Sequence, residues 1–513
     1  MSGNPELAAA TINTARHLGV GDFVICAGAR NVPLIADLCE REEITLWNHF
    51  DERSAAFFAL GLARVKARPV AVVTTSGTAV AELFPAVIEA HYSGIPLVLI
   101  TADRPASFRG SGAPQAIEQA GIFGKYVSQS LDWETDRMEA PEIIWDQQSP
   151  LHLNVCFGEP IVEVSGERLE TLGVDGKISI PKKPKAPRLK PLQPLAIIGE
   201  LQESERAEVQ DFLQRTGIPA WFEATSGLRE DAALEHLRIA QESEISPLKP
   251  GGIIRIGGVP SLRFWRDLET PSGLPVTNFS RNPFPGLARK ENVETLALSD
   301  LTGYSPPFKR VQSPIKEGTI DRKLARHPAS EPALVAALSE LIPSAAAVFL
   351  GNSLPIREWN LAASFAVPHP HCFANRGANG IDGEVSTFLG ISAGFDEAWG
   401  IFGDLTALYD LNAPWVIGQL PHGGKCRIVV LNNGGGRIFS RLPAMRRLSP
   451  AAMARTENHH QTHFSGWADL WGLAYVEWED QPEKWSLPTD DAIIIEIKID
   501  QEKSEAFWAD QTA

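Results

Sequence analysis

Short apolar runs rich in β-branched residues recur through the first 160 residues, at Phe23–Cys26, Thr45–Trp47, Val70–Thr74 and Pro96–Thr101. Between them, Val32–Arg41, Glu52–Lys66 and Thr78–His91 carry apolar residues at helical spacing. Strands that alternate with helices predict βαβ units and a parallel sheet covered on both faces, which explains strand runs with no polar alternation. Residues 181–194 read PKKPKAPRLKPLQP, too dense in proline for a helix or a central strand, and predict a linker. A second α/β stretch follows, with Leu195–Gly199, a helix near Ser204–Arg215, and Gly252–Gly257. Proline and charge return at 305–328, a second boundary. From Glu331 the alternation resumes through Ala345–Leu350, Cys372–Ala374, Trp399–Phe402, Arg427–Leu431 and Ala492–Ile497. The expected architecture is three doubly wound α/β domains, at 1–180, 195–320 and 321–513, the first two joined by the linker.

Length agrees with several domains, since one core stops growing near ~250–300 residues and this chain has 513. Hydrophobic residues make up 44% and charged residues 21%, which excludes a disordered or fibrous chain. Lys and Arg number 47 against 63 Asp and Glu, a net charge of −16. Nucleic acid needs a basic footprint, so none is expected as a partner. An anionic ligand would have to meet cations gathered locally against that global field. Cys26, Cys39, Cys156, Cys372 and Cys426 share no zinc or disulfide spacing, and most sit in apolar runs, as buried thiols in a reducing compartment do. The start lacks a basic segment before an apolar one, and the apolar runs fall far short of the ~20 residues of a membrane helix. A cytoplasmic protein without membrane insertion is expected.

The chain has no G-x-G-x-x-G opening a βαβ unit, no P-loop, no G-x-S-x-G and no H-E-x-x-H. His369–Pro370–His371–Cys372 and His459–His460–Gln461–Thr462–His463 resemble metal sites superficially, but neither has partners at ligand spacing, and both read as loop histidines. A more specific pattern lies at 399–436. The strand WGIFG ends in Gly403–Asp404, a helical stretch LTALYDLNAPWVIGQL follows, and the strand RIVVL ends in Asn432–Asn433–Gly434–Gly435–Gly436. A carboxylate and an amide thus sit at the carboxyl ends of two strands, where doubly wound sheets bind ligands. Hard oxygen ligands suit Mg²⁺, and glycines let backbone N–H groups approach a diphosphate. The plainer reading is two polar strand-end turns.

The G-D and N-N pairs resemble the thiamine-diphosphate-binding motif. The resemblance implies that Asp404, Asn433 and the Gly435 carbonyl hold Mg²⁺ or Mn²⁺, with Gly403 and Leu405 beside the cofactor. It also predicts a Glu at a strand-to-helix turn of the first domain, the residue that hydrogen-bonds the aminopyrimidine ring. Glu52 in Trp47–Asn48–His49–Phe50–Asp51–Glu52–Arg53 has that form. By itself Glu52 reads as a first-turn acid on a helix dipole, worth under ~1 kcal/mol.

Longer stretches narrow the resemblance. HFDERSAAFFALGLAR, PVAVVTTSGTAVAELFPAVIEA, PLVLITADRP, FLGNSLPIREW, NRGANGIDGEVST, GDLTALYDLNA and NNGGGRIFSRLP are similar to the 2-succinyl-5-enolpyruvyl-6-hydroxy-3-cyclohexene-1-carboxylate synthases. The similarity covers nearly all of both outer domains and is weak in the middle one. It implies a transferase of menaquinone or phylloquinone biosynthesis. Thiamine diphosphate would decarboxylate 2-oxoglutarate, and the succinyl unit would add to isochorismate. Arg30, Arg104, Arg357 and Arg376 would bind substrate carboxylates, for which a permanently charged guanidinium fork is suited. Arg263 would add a cation from the middle domain and Ser353 a hydroxyl. Gln115 would face the reacting centre alongside Glu52. Ile381 would hold the cofactor bent, Ile438 would also touch the cofactor, and Ile438, Phe439 and Leu442 would wall the isochorismate ring. A homodimer or homotetramer with sites at the chain interface is implied as well.

Three departures bear on the second substrate. Cys26–Ala27–Gly28–Ala29–Arg30–Asn31 stands where the family has S-P-G-S-R-S, Pro114 replaces an Asn, and Phe264 follows Arg263 where a second basic residue is usual. A thiamine-diphosphate-dependent 2-oxo acid decarboxylase or carboligase with another acceptor is the enzymatic rival. A non-catalytic scaffold would be expected to have lost Glu52 or Asp404.

Overall fold

The computed structural model describes residues 3–134, 142–159, 177–178, 187–189, 191–270, 273–304, 306, 319–442 and 445–510. Half of the proline-rich segment at 181–194, and residues 307–318 of the second boundary, lie outside them. Three larger sheets, every strand parallel to its neighbours, account for nearly all described strands. No helix among the described residues is long and apolar enough to cross a membrane. Cys26, Cys156, Cys372 and Cys426 are buried free thiols, and Cys39 is exposed.

One compact unit comprises Met1–Pro181, Gly377–Gly394 and Asp410–His422. Its sheet runs in the order Thr45–His49, Asp22–Cys26, Val70–Thr74, Leu97–Asp103, Leu151–Cys156, Ser130–Glu134. The last two were not expected from the apolar runs, because polar residues interrupt them, His152 and Asn154 in one and Ser130, Asp132 and Glu134 in the other. Phe23, Val73, Ile100, Trp133 and Phe157 fill one face. The expected helix Thr78–His91 is two helices, Thr78–Glu82 and Phe84–Ser93. Pro85 lacks an N–H and its ring crowds the preceding turn, so the chain restarts there.

The helix Glu52–Lys66 begins where Asp51 accepts hydrogen bonds from the backbone N–H groups of Arg53 and Ser54, and it ends at Ala67 in the left-handed region. It lies beside Glu384–Ser392, running in the same direction. A Cβ on Gly61 would sit 2.0 Å from the Thr387 carbonyl oxygen, and one on Gly390 2.2 Å from that of Phe58, so the two glycines permit the contact. Buried Asp410 ties both helix starts, accepting from the Ser54 hydroxyl at 3.0 Å and the Ser386 N–H at 2.7 Å. Asn412 donates to Asp51 at 2.8 Å. These ties break the expected helix over 405–420 into Asp404–Tyr409 and a 3₁₀ turn Ala413–Gln419. Asp410 and Asn412 turn their side chains to cap neighbouring elements instead of continuing their own.

Burial opposes ionisation of Asp51, but Asn412, the Ser54 N–H and Arg53 outweigh it and hold its carboxyl below the ordinary value. A carboxyl depressed in the folded state stabilises above its unfolded pKa near ~3.9, and that contribution is lost as pH falls through the folded value. Asp51→Ala is therefore expected to cost about 1 kcal/mol at neutral pH, the loss of an N-cap. In thermal melts the gap from wild type should narrow on acidification; a gap independent of pH would show that the ionised carboxylate does not act there.

The other unit comprises Lys182–Arg376, Phe395–Tyr409 and Gly423–Ala513. It holds a five-stranded sheet in the order Ala220–Phe222, Pro194–Ile198, Gly252–Ile256, Val276–Phe279, Val293–Leu296. Its six-stranded sheet runs Cys372–Phe373, Ala347–Leu350, Glu397–Gly403, Lys425–Asn432, Ala492–Lys498, Ala474–Trp478. Trp359 and Trp399 are fully buried in the core of the six-stranded sheet. The two sheets are tied by side chains: Asn360 accepts from the Ala224 N–H at 2.8 Å, and Arg229 donates to the Ala363 carbonyl at 2.9 Å.

Candidate active site

Gly403–Asp404 and Asn432–Asn433 end adjacent strands of the six-stranded sheet, as their spacing predicted. Asp404 is 2% exposed and Asn433 8%. The Gly435 N–H donates to Asp404 Oδ2 at 3.0 Å and the Leu405 N–H to Oδ1 at 2.6 Å. Burial raises the Asp404 carboxyl above its usual range, against the opposing pull of His460 and the two N–H groups. Asn433 donates its amide to Glu331 at 3.0 Å, and its Oδ1 is buried with no hydrogen-bond donor. A buried acceptor without a partner is costly. A hard cation would satisfy it together with Asp404, so the donor set fits Mg²⁺. The Gly435 carbonyl accepts from the Arg437 N–H at 2.9 Å and keeps a second lone pair.

The glycine turn after Asn433 is held from outside. Gly435 has φ 137°, and a Cβ there would meet the Glu457 carbonyl oxygen at 2.5 Å. That carbonyl accepts from the Gly436 N–H at 2.6 Å. Arg437 spans the turn, donating to the Asn433 carbonyl at 3.1 Å and to Glu457 at 3.0 Å. His460 Nε2 lies 3.3 Å from Asp404 Oδ2. Of the loop histidines, His460 therefore stands at this site, which its position 27 residues past Asn433 gave no means of seeing. His369 is buried and bonds the Ser339 carbonyl. Buried Glu496 accepts from Asn432 at 2.7 Å, from the Phe464 N–H at 2.8 Å and from Tyr475 at 2.8 Å, which braces the same strand end. Ile438, Phe439 and Leu442 follow the turn, half-buried, on the short helix Ile438–Arg441 and its cap.

The carboxyl edge of this sheet also carries arginines. Ser353 (φ 71°) starts the helix Leu354–Ala362 and accepts from Arg357 through its carbonyl. Holding a non-glycine residue there costs of order 1–3 kcal/mol and occurs chiefly at functional sites. Arg376 donates to Asn352 at 2.7 Å. Arg357 is pushed down to about 10 by burial and by repulsion from Arg376 and Arg266, with Glu223 and Glu242 opposing. Glu223, at the end of a strand in the five-stranded sheet, is fully buried and accepts both the Ser261 N–H and hydroxyl, at 2.6 and 2.5 Å. Arg263 is largely exposed and pairs with Asp267 at 3.8 Å. Arg266, one turn later on the same helix, is the middle-sheet cation whose charge reaches Arg357. Phe264 is half-buried against the core of that sheet, which accounts for an apolar residue beside Arg263.

In the first unit, Glu52, Arg30, Arg104 and Gln115 lie at or beyond the carboxyl ends of parallel strands. Glu52 is half-buried. Burial raises its carboxyl above the ordinary value, with Asp51 and Glu82 adding to the shift and its own N–H opposing it. His49, its neighbour two residues before the cap, is lowered to about 4 by burial and is neutral at pH 7. Arg30 is buried and donates to Glu159 at 2.8 Å; Arg104 approaches the same carboxylate at 4.0 Å. The two guanidinium groups thus already converge on a carboxylate. Asn31 closes the turn around Ala29, accepting from the Gly28 N–H and donating to the Cys26 carbonyl, both at 2.9 Å. No hydroxyl at 29 is needed for the turn. Pro114 offers its carbonyl to Arg104 Nε at 3.0 Å in place of a side-chain amide. Gln115 has φ 55° and packs against Gly77, whose N–H donates to buried Gln119 at 3.1 Å. Ile381 precedes the helix Glu384–Ser392.

Residues 5–122 match the family model of the thiamine pyrophosphate enzyme N-terminal TPP binding domain. Three relatives carry the name 2-succinyl-5-enolpyruvyl-6-hydroxy-3-cyclohexene-1-carboxylate synthase. That of Bdellovibrio bacteriovorus is 40% identical over 98% of both chains. Those of Akkermansia muciniphila and a Roseiflexus species are 39% and 31% identical, covering 95% and 96% of this chain and 95% of each relative. Among solved structures, a thiamin diphosphate-dependent enzyme from Mycobacterium smegmatis superposes with a TM-score of 0.70 at 18% identity, over 96% of this chain and 99% of that one, which shows a shared fold.

Proposed function

Because the chain belongs to the family of 2-succinyl-5-enolpyruvyl-6-hydroxy-3-cyclohexene-1-carboxylate synthases, thiamine-diphosphate-dependent transferases, we propose that it joins a succinyl unit from 2-oxoglutarate to isochorismate, in menaquinone or phylloquinone biosynthesis, with Mg²⁺ or Mn²⁺ as the cofactor's cation. The observation that carries the reading is the buried, donor-free Asn433 oxygen beside Asp404, on a sheet edge that also holds Arg357 and Arg376. When bound, thiamine diphosphate supplies the electron sink on which a 2-oxo acid loses CO₂.

The chain's own residues do the rest. Asp404, Asn433 and the Gly435 carbonyl hold the cation, and the glycine turn presents N–H groups to a diphosphate. Glu52 holds and releases a proton at its carboxyl oxygen, and burial raises that carboxyl's proton affinity above the ordinary value. Arg357 and Arg376 on one unit, and Arg30 and Arg104 on the other, bind carboxylates, two of which each substrate carries. Ile438, Phe439 and Leu442 exclude water beside the ring. Two or four copies, with sites at the chain interface, belong to the same reading.

The test is a coupled assay of the full chain with thiamine diphosphate and Mg²⁺, following CO₂ release and loss of isochorismate absorbance. Turnover is expected only when both substrates are present. CO₂ released from 2-oxoglutarate while isochorismate stays intact would move the enzyme to another acceptor, with Ala29 and Pro114 as the first residues to examine.

A further inference from the structure

Glu331 opens the helix Glu331–Leu341 and is buried, with its backbone N–H fixed on the Ser504 hydroxyl at 3.0 Å. Its two oxygens serve different elements. Oε1 accepts from Asn433 Nδ2 at 3.0 Å, and Oε2 accepts from Arg441 Nη2 at 3.3 Å. Arg441 ends the short helix that carries Ile438 and Phe439 and precedes Leu442. Its other terminal nitrogen donates to buried Glu358 at 2.7 Å, and its guanidinium lies 4.6 Å from the Trp508 ring centre. Glu358 follows Arg357 on the helix Leu354–Ala362.

A side-chain amide has two faces of opposite character, and a carboxylate only accepts. Glu331 therefore obliges Asn433 to turn its NH₂ group inward and its oxygen outward, the orientation a cation requires. A cation on that oxygen would polarise the amide and strengthen its bond to Glu331. The same carboxylate fixes Arg441, so the two events share one group. Outer partners of this kind commonly set ligand orientation at metal sites.

We propose that Glu331 is a positioning residue that holds the Asn433 amide oxygen-out and, through Arg441, couples the cation site to the apolar wall at Ile438–Leu442. The proposal rests on Asp404 and Asn433 being cation ligands, and it adds a linkage between cation and wall that the ligands alone do not provide.

The experiment titrates Mn²⁺ into the full chain with thiamine diphosphate and follows free Mn²⁺ by its electron paramagnetic resonance signal. Glu331→Gln is expected to weaken Mn²⁺ binding about tenfold. Arg441→Met, which touches no ligand, is expected to weaken it about threefold, the scale of a residue acting through another. The double variant should bind no more weakly than Glu331→Gln alone, since both act by one route. Unchanged affinity in Glu331→Gln, or effects that multiply in the double variant, would overturn the proposal. If Glu331→Gln melts too low to titrate, Arg441→Met decides, and wild-type affinity there overturns the linkage. Asp404→Asn separates the two layers: wild-type Mn²⁺ binding in that variant removes the cation reading itself.

Discussion

Glu52→Gln should lower turnover by about 10²–10⁴-fold, the share of rate that a positioned proton-transfer group supplies. The substitution keeps the side chain's volume and leaves the helix start on Asp51 intact. Its cost in stability is limited to the helix-dipole contribution of one acid, under ~1 kcal/mol. The variant should therefore fold, melt near the wild-type temperature and still be stabilised by thiamine diphosphate, while CO₂ release collapses. Burial, with Asp51 and Glu82 adding, raises the wild-type carboxyl, so the acid limb of the rate profile should lie above the ordinary Glu value of ~4.3 and vanish in the variant. A variant that turns over at the wild-type rate would remove Glu52 from the chemistry and leave it as the first-turn acid it resembles locally.

Asp404→Asn should abolish the stabilisation that thiamine diphosphate and Mg²⁺ confer. In the cofactor-free chain Asp404 is a buried carboxyl whose ionised form burial disfavours, and Asn there relieves a charge without changing volume. But Asn accepts through one oxygen only, so one of the Leu405 and Gly435 N–H groups loses its acceptor, and the cofactor-free variant is expected to be about 1–3 kcal/mol less stable than wild type. Wild type should gain about 2.7 kcal/mol at ligand concentrations 100 times Kd, and the variant almost none. Paired melts with and without cofactor measure both differences. Full cofactor stabilisation of the variant would show that the cation is held elsewhere. Mixing Glu52→Gln with Asp404→Asn protein then probes the assembly: with sites shared between copies, the inactive pair should recover activity.

The parallel α/β texture of both outer regions was legible because a strand buried on both faces must be a continuous apolar run, and such runs stand out along the chain. The glycine-rich strand end with Asn432 and Asn433 was legible for a similar reason, since residues that line a turn lie close in sequence. Strands such as Ser130–Glu134 and Val293–Leu296 were not, because edge strands are only half-buried and their pattern merges with that of loops. The token ALYDLNA was visible as a string but not as a device. Asp410 and Asn412 earn their places by capping Ser386, Ser54 and Asp51, residues up to 361 positions away.

The arginines divide the same way. The family resemblance marked Arg30, Arg104, Arg357 and Arg376 as carboxylate binders, with Arg263 from the middle domain; that the charge of Arg266, on the same helix as Arg263, reaches Arg357 follows only from how the chain packs. The sequence by itself determined the sheet type, the cofactor motif and the residue types that chemistry would need, since each follows from local pattern. Only the tertiary structure decided which oxygen of that motif is left without a donor, and that Glu331 orients it. A hydrogen bond between residues 102 positions apart is fixed by how helices and strands pack, and no local pattern encodes it.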